Sequence, residues 1–449
     1  MTTIEATAPG RAGRLLQVLG VAFGIAVIIG NTIGVGILRT PGDVAAHLPS
    51  SPLFLAAWVL GGIYALLGAV SVAELGTMSP RSGGQYVFVR RALGEYPGFV
   101  VGWSDWISSC GSTAAVSIVT GEYLGVLIPT LAGHESLIAS LAVIIFSALQ
   151  WRGVRWGDVA QQILSLAKAL ALVGLVAVAF ALGEQTTAPA AAATVPRGFG
   201  LFLAFMLALQ GVIFTYDGWT GVIYFGGEVR NPGRDIPRSM IGGVLLVLGI
   251  YLSLNLAFLY LLPISRMANE PFVAGAAAEA IFGARGDTVI RTIMVVSAMG
   301  AINAIILMSS RVPLAMAGDG LMLREVARVN RGGTPTAALL LSGAIALGFI
   351  VTGTFERVLA LLAFFFVASY AMSFLSVFVL RRREPDAPRP YRAWGYPWTT
   401  GLVLVGSVAF LAGQLIGDTR NTLWSLALIG LSYPVYRFIR RGRAAMPKG

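Results

Sequence analysis

Apolar residues run along this chain in long blocks separated by short polar, basic or Pro/Gly-rich segments. A membrane-crossing helix needs about 20 predominantly apolar residues. Read that way, the chain predicts spans near 17–38, 53–76, 98–128, 136–151, 160–182, 200–227, 239–262, 288–310, 336–353, 358–380, 400–417 and 422–439, the fourth and ninth being short. The expected fold class is therefore an all-α integral membrane protein with twelve transmembrane helices. One connection, Pro263–Thr288, is long and contains a moderately apolar segment, Phe272–Phe282, that predicts a helix lying across one face; Gly76–Pro97 is similar in kind. The first block is too long for a signal-peptide core and is read as a retained span.

Two blocks break the pattern. The first holds Gly30-Asn31-Thr32-Ile33-Gly34-Val35-Gly36-Ile37, and the sixth holds Phe214-Thr215-Tyr216-Asp217-Gly218-Trp219-Thr220-Gly221. Glycine in a helix costs about 1 kcal/mol relative to alanine. A helix interrupted in hydrocarbon frees backbone groups that must line a cavity or meet a ligand. Interruptions at corresponding places in two halves of a chain point to a transporter binding site. Gly30 and Gly34 alone also fit small-residue helix packing; the paired occurrence favours interruption.

Composition agrees with a bilayer solvent: 56% of residues are hydrophobic, 12% are charged and mean hydropathy is +0.77. The net charge of +11 would suggest nucleic acid on a soluble protein. Here 24 of the 32 basic residues fall in connections or tails on one side of the predicted topology, including Arg11, Arg14, Arg381, Arg382, Arg383 and Lys448. By the positive-inside rule that side, with both termini, is cytoplasmic, and the charge needs no nucleic-acid partner. A single cysteine, Cys110, lies within an apolar block, and the two histidines fall in connections, so no cysteine or histidine metal site is expected. No Ser-His-Asp set or phosphate loop is present, which disfavours an enzyme, and no cofactor is implied. Thirty arginines against two lysines suggest a bacterial source and hence an inner membrane.

At the broken spans the sequence resembles the amino acid–polyamine–organocation (APC) permeases, especially their L-type amino acid transporter-like members. Thr32–Leu38 is similar to that family's first-span I-G-x-G-I-F pattern, with Val35 and Leu38 departing from it. Glu74–Tyr86, Phe214–Trp219, Glu228–Arg238 and Leu380–Tyr391 resemble its later motifs in the right order. The resemblance implies a LeuT-type fold. Spans 1–5 (residues 1–182 with the tail) and spans 6–10 (200–380) form an inverted repeat, and spans 11 and 12 with a tail (400–449) are appended. It also implies secondary transport of amino acids by alternating access, as proton symport or exchange. A neutral L-amino acid is the expected substrate. Cationic amino acids or polyamines are the alternative, and a non-transporting nutrient receptor is the rival of another class.

On that reading a substrate carboxylate suits free N–H groups at a half-helix start, and Val35, Gly36 and Ile37 match, with Gly34 and Gly36 permitting close approach. The ammonium suits carbonyls at half-helix ends, with Thr32, Ile33, Phe214, Thr215 and Asp217 as candidates beside Tyr216 and Gly218. Phe214 resembles an aromatic gate, or simply packs. Asp217 either caps the second half of span 6 or contacts the substrate. Lys168 matches the family's span-5 lysine, whose ammonium stands where sodium-coupled relatives hold sodium. It would couple transport or, alternatively, snorkel to the near membrane edge. Ser309-Ser310-Arg311 resembles the end of span 8, which helps hold that ion elsewhere, but Lys168 argues against sodium here. Asn303 is either near the site or an interhelical hydrogen-bonding group. Ser108 and Ser112, one turn apart, are weaker side-chain contacts, and Asp105 and Glu122 are expected nearer the span ends, solvated or structural. Partners are then a small amino acid and membrane lipid. Cys110 is expected too deep for a disulfide-linked subunit.

Overall fold

The computed structural model describes residues 15–186, 195–268, 270–352 and 355–444. The tail residues Arg11, Arg14 and Lys448, and Gly353 at the end of the expected ninth span, lie outside them. Among the described residues there is no strand, and the helices follow the apolar blocks. Span 1 is split into α1 (Val21–Thr32) and α2 (Gly36–His47). Spans 2 to 5 are α3 (Ser51–Met78), α5 (Glu95–Leu127), α6 (Glu135–Trp151) and α7 (Val154–Leu182), with α4 (Gln85–Leu93) inserted after span 2. Span 6 is α8 (Phe199–Tyr216) and span 7 is α9 (Pro232–Leu261). Then come α10 (Ile264–Met267), α11 (Val273–Phe282), α12 (Gly286–Ser309) as span 8, α13 (Arg311–Gly318), α14 (Thr336–Thr352), α15 (Phe355–Arg383), α16 (Trp398–Gly417) and α17 (Thr419–Ala444).

Eight of these helical stretches are long and apolar enough to cross a bilayer, and the bent α1–α2 pair makes a ninth. The fourth and ninth spans, α6 and α14, are apolar but only 17 residues each. The last, α17, is 26 residues long and dilutes its apolar run with Tyr433, Pro434 and Arg437. The outward faces carry Leu141, Ile145, Leu166, Leu170, Leu402 and Val405, all exposed. Such faces are tolerable only where lipid replaces water.

Packing divides the chain into two layers. Spans 1, 2, 6 and 7 form a bundle in which α3 packs on α9 and α8, α2 on α8, and α1 on α9. Spans 3, 4, 8 and 9 form a second layer, with α5 against α12, α6 and α14. The contacts 1 with 6, 2 with 7, 3 with 8 and 4 with 9 each join an element to the one five spans later. That is the pairing a two-fold axis between two five-span units would give to elements near it.

The breaks fall where the glycines predict them, with one difference. Between α1 and α2 the axis turns by 47°, and Ile33 leaves the helix with extended backbone. In span 6, α8 ends at Asp217, Gly218 takes φ +111°, and no second α-helix follows; the chain makes turns and a short 3-10 segment, Gly221–Tyr224. Neighbouring backbone replaces the helical bonds there. Gly83 N–H donates to Tyr224 O (3.2 Å), Leu19 N–H to Glu228 O (3.0 Å) and Arg230 N–H to Leu19 O (2.9 Å). Gly226 permits the approach, since a Cβ there would lie 2.8 Å from Arg81 O. Both connection helices exist. α11 matches the expected segment to within a residue, and α4 sits in the other connection.

Candidate functional site

The two breaks meet between the layers. A small cavity is lined by Asn31, Thr32, Gly34, Val35, Gly36, Ser112, Val116, Phe214, Thr215, Asp217, Ala301 and Ile305. A second, smaller still, shares Asn31, Ser112, Asp217 and Ile305 with the first and extends to Gln85, Asp105, Ser109, Tyr224 and Tyr370.

The opening of α2 presents donors. Val35 precedes its first turn without a capping side chain. Among the described residues no backbone acceptor pairs with the N–H groups of Val35, Gly36 or Ile37, while Leu38 and Arg39 both donate to Val35 O at 3.2 Å. The first N–H groups of a helix are unpaired by geometry and carry its positive dipole end. Val35 and Gly36 line a cavity here, an arrangement suited to a carboxylate.

The carbonyl end is partly taken by the protein. Lys168 is 2% exposed and donates to Gly30 O (3.0 Å) and Ile33 O (2.5 Å). Gln161 and Ser165, earlier on the same face of α7, reach Ala26 O at 3.4 and 2.7 Å. Span 5 thus grips the end of α1 through three side chains. Snorkelling is excluded: Lys168 follows the start of α7 by about 21 Å of helical rise, and its ammonium points into the break. The Tyr251 hydroxyl lies 2.6 Å from Thr32 O and 2.9 Å from Thr215 O, so a single proton ties the ends of α1 and α8 together. Of the five expected ammonium acceptors, Ile33 therefore faces Lys168 rather than a cavity, and Thr32 and Thr215 each retain one free lone pair.

Eight of the expected site residues line the cavities: Thr32, Gly34, Val35, Gly36, Phe214, Thr215, Asp217 and Ser112. Asp217 is the C-cap residue of α8, and no second half-helix follows for it to cap. Its carboxylate accepts the Tyr370 hydroxyl of α15. Ile37, Tyr216 and Gly218 lie behind the lining. Tyr216 donates to Trp58 O (3.2 Å), and a Cβ on Gly218 would lie 2.6 Å from Asn31 Nδ2. Ser108 turns back to Asp105 O (2.9 Å). Asn303 is the interhelical group of its two readings. It bonds Gln150, and its amide donates to Gln161 Oε1 at 2.9 Å, away from both cavities. Ser309 and Ser310 bond carbonyls of their own helix.

Sequence reasoning misplaced Asp105. It lies about 15 Å along α5 from Glu95, is 4% exposed and accepts the Tyr224 hydroxyl at 2.6 Å. The signal was helical spacing: Asp105, Ser109, Ser112 and Val116 form one face of α5, and all four line the cavities. Glu122 sits near the end of α5, 3.3 Å from Arg39, with its side chain 40% exposed.

Interactions close both ends. On the α4 side Arg311 pairs with Glu228 (3.1 Å), both essentially buried, and Arg81 and Arg90 each meet Asp319 at 3.0 Å. On the α11 side the Arg291 guanidinium stacks over Phe272 (4.7 Å) and Tyr123 (5.3 Å).

A multi-pass helical membrane protein with two interrupted spans around a polar midpoint cavity belongs to the class of secondary transporters. The sequence comparisons specify which. The family model described as amino acid permease matches residues 18–432, and the chain belongs to that family. It is 31% identical over 444 residues to the serine/threonine exchanger SteT of Bacillus subtilis (strain 168), covering 96% of this chain and 98% of that one. It is 27% identical to the mouse b(0,+)-type amino acid transporter 1, over 84% of this chain and 79% of that one. The mouse large neutral amino acids transporter small subunit 2 is 29% identical, over 86% and 75%. The chain is an amino acid transporter, not an enzyme.

Proposed function

We propose that this protein exchanges L-amino acids across the cell membrane by alternating access, without sodium. The observation that carries this reading is Lys168. Its ammonium bonds the Gly30 and Ile33 carbonyls of the first break, supplying the fixed positive charge that a bound cation would otherwise supply. Exchange is favoured over proton symport by the serine/threonine exchanger, which resembles this chain end to end. In this account the substrate carboxylate meets the N–H groups of Val35, Gly36 and Ile37. The ammonium meets the remaining lone pairs of Thr32, Phe214 and Thr215, while Phe214 covers the site.

The arginine asymmetry supports cytoplasmic termini, with the α4 end inside; the arginine-rich, lysine-poor usage supports a bacterial inner membrane. Residues 1–182 and 200–380 are then the two repeats, and 400–449 the appended spans. Cys110 is 1% exposed within α5, so we assign no disulfide-linked subunit. The test is uptake of labelled amino acid into proteoliposomes with and without internal amino acid. Acceleration by internal substrate at zero sodium supports exchange. Uptake driven by an inward proton gradient into empty vesicles replaces exchange with symport, and a sodium requirement overturns the role of Lys168.

A further inference from the structure

Three buried amides line up behind the first break. The Ser165 hydroxyl has one proton and gives it to Ala26 O at 2.7 Å, so it accepts from Gln161 Nε2, 2.9 Å away. Gln161 therefore turns its nitrogen toward Ser165 and Ala26 O (3.4 Å). Its oxygen faces Asn303, whose Nδ2 donates to it at 2.9 Å. Asn303 then presents Oδ1 to Gln150, and the Gln150 amide donates there. One end thus fixes the direction of every amide, and bonds aligned in one sense polarise one another. Gln150, Asn303, Gln161 and Ser165 are each at most 2% exposed. The chain of amides joins α6 and α12 to α7 and, through α7, to α1. Both of its ends are seated on glycine. A Cβ on Gly30 would lie 1.7 Å from Gln161 Nε2, and one on Gly157 would lie 2.4 Å from Gln150 Oε1.

Position and chemistry separate this chain from Lys168. α1 starts on the α4 side, where Leu19 N–H donates to Glu228 O (3.0 Å). Ala26 lies about one turn nearer that side than Gly30. Lys168 holds Ile33 O, which has left the helix, and parting them would strand a buried ammonium. Ala26 is inside α1, so its carbonyl keeps the helical bond from Gly30 N–H when the amide chain lets go. Gln161 stays bonded to Ser165, and the freed Ser165 hydroxyl turns to the carbonyl one turn back in α7. The contact at Ala26 O therefore breaks without leaving a buried acceptor unpaired. A contact that opens and closes in every cycle needs that property.

We propose that Gln150, Asn303 and Gln161 are positioning residues for transport. They hold α1 against the second layer through Ala26 O, and the bonds of Gln161 and Ser165 to that carbonyl part each time the cavity opens to the α4 side. This rests on the alternating-access reading above and adds the residues that keep the site shut on one face. Lys168 stays bonded at the break while the amide chain yields one turn away from it. Removing the chain favours the state open to the α4 side, so the fraction able to bind from the opposite face falls, and apparent affinity from that face falls with it.

Two readouts test this on the purified full-length protein. The first is thiol labelling in detergent of Val27→Cys in a Cys110→Ala background. Val27 is fully buried, and a Cβ on Gly221 would lie 2.8 Å from its Cγ1, so a thiol there is reached only when α1 moves away. Gln161→Met, close in volume and without the amide, should label at least threefold faster. Gly30→Ala, whose methyl displaces the Gln161 amide, should do the same. The second readout is exchange in oriented proteoliposomes. Gln161→Met should raise the KM measured from the outer face at least threefold and leave the inner-face KM unchanged, a split that general loss of fold does not produce. Unchanged labelling in both variants, or equal KM changes on both faces, overturns the proposal. Gln161→Met that cannot be purified folded, alone or with Asn303→Leu to replace its partner by an apolar group, makes the chain a folding element and also overturns it. Faster labelling in variants of a protein whose wild type exchanges nothing supports the hold on α1 and overturns the transport reading alone.

Discussion

Gly34 and Gly36 flank Val35 in the same break, yet substitution should act on them by opposite routes. A Cβ on Gly36 would lie 2.8 Å from Thr215 Oγ1 and 3.2 Å from Thr215 Cα. The hydroxyl is held by Gly211 O at 2.8 Å, and a backbone Cα has no rotamer by which to withdraw. α2 and α8 must therefore move apart by a few tenths of an ångström, and overpacking of this kind costs about 1–3 kcal/mol. Gly34 also lines the cavity, but a Cβ there meets no atom within 4 Å. Gly34→Ala should leave stability within about 0.5 kcal/mol while its methyl occupies the space a carboxylate needs. Losing one charge-assisted hydrogen bond is worth about 1.5–3 kcal/mol, or a roughly 10- to 150-fold weaker Kd. Thermal unfolding and equilibrium binding on both purified variants separate the two effects. Gly36→Ala should melt earlier and Gly34→Ala should melt normally but bind poorly. Unchanged affinity in folded Gly34→Ala would refute the carboxylate site at the start of α2.

Lys168→Met keeps most of the side-chain volume and removes the donor to Gly30 O and Ile33 O. It should remain monodisperse in size-exclusion chromatography while exchange falls at least tenfold, and full exchange would return Lys168 to a purely structural place. Arg311→Gln leaves Glu228, essentially without solvent exposure, with an uncompensated charge, and should destabilise the protein by about 3–5 kcal/mol. The double variant Arg311→Gln, Glu228→Gln should recover a substantial part of that loss in a melting experiment. Tyr251→Phe removes the hydroxyl between Thr32 O and Thr215 O, freeing buried carbonyls at a cost of about 1–3 kcal/mol. Its melting temperature should drop, and an unchanged value would mean that the two ends of α1 and α8 are held by packing alone.

Much of this architecture is written in local patterns. Apolar block length locates the spans, because lipid leaves the backbone little alternative to helix. Glycine runs locate both breaks for the same reason. Lys168 stands out because a lone ammonium inside an apolar block needs partners. What the sequence conceals is contact between distant segments. The stretch after Gly218 forgoes an α-helix because Leu19 and Gly83, far away in sequence, supply its hydrogen bonds. Asn303 reads equally well as a ligand contact or a strut until Gln150 and Gln161 are seen on either side of it. Asp105 is misread because its apolar block starts at residue 98 while α5 starts at Glu95, and because Tyr224, its partner, belongs to the irregular end of span 6.

The central claim is that the two breaks form a site for an amino acid, worked by alternating access with Lys168 in place of a bound cation. The most direct measurement is labelled L-amino-acid uptake into proteoliposomes of the purified wild type, in sodium-free buffer, with and without internal unlabelled amino acid. The account predicts uptake that internal substrate accelerates at least tenfold and that added sodium leaves unchanged. Binding of amino acid with no transport under any gradient would make the protein a receptor on a transporter fold, and uptake only with sodium would contradict the placing of Lys168.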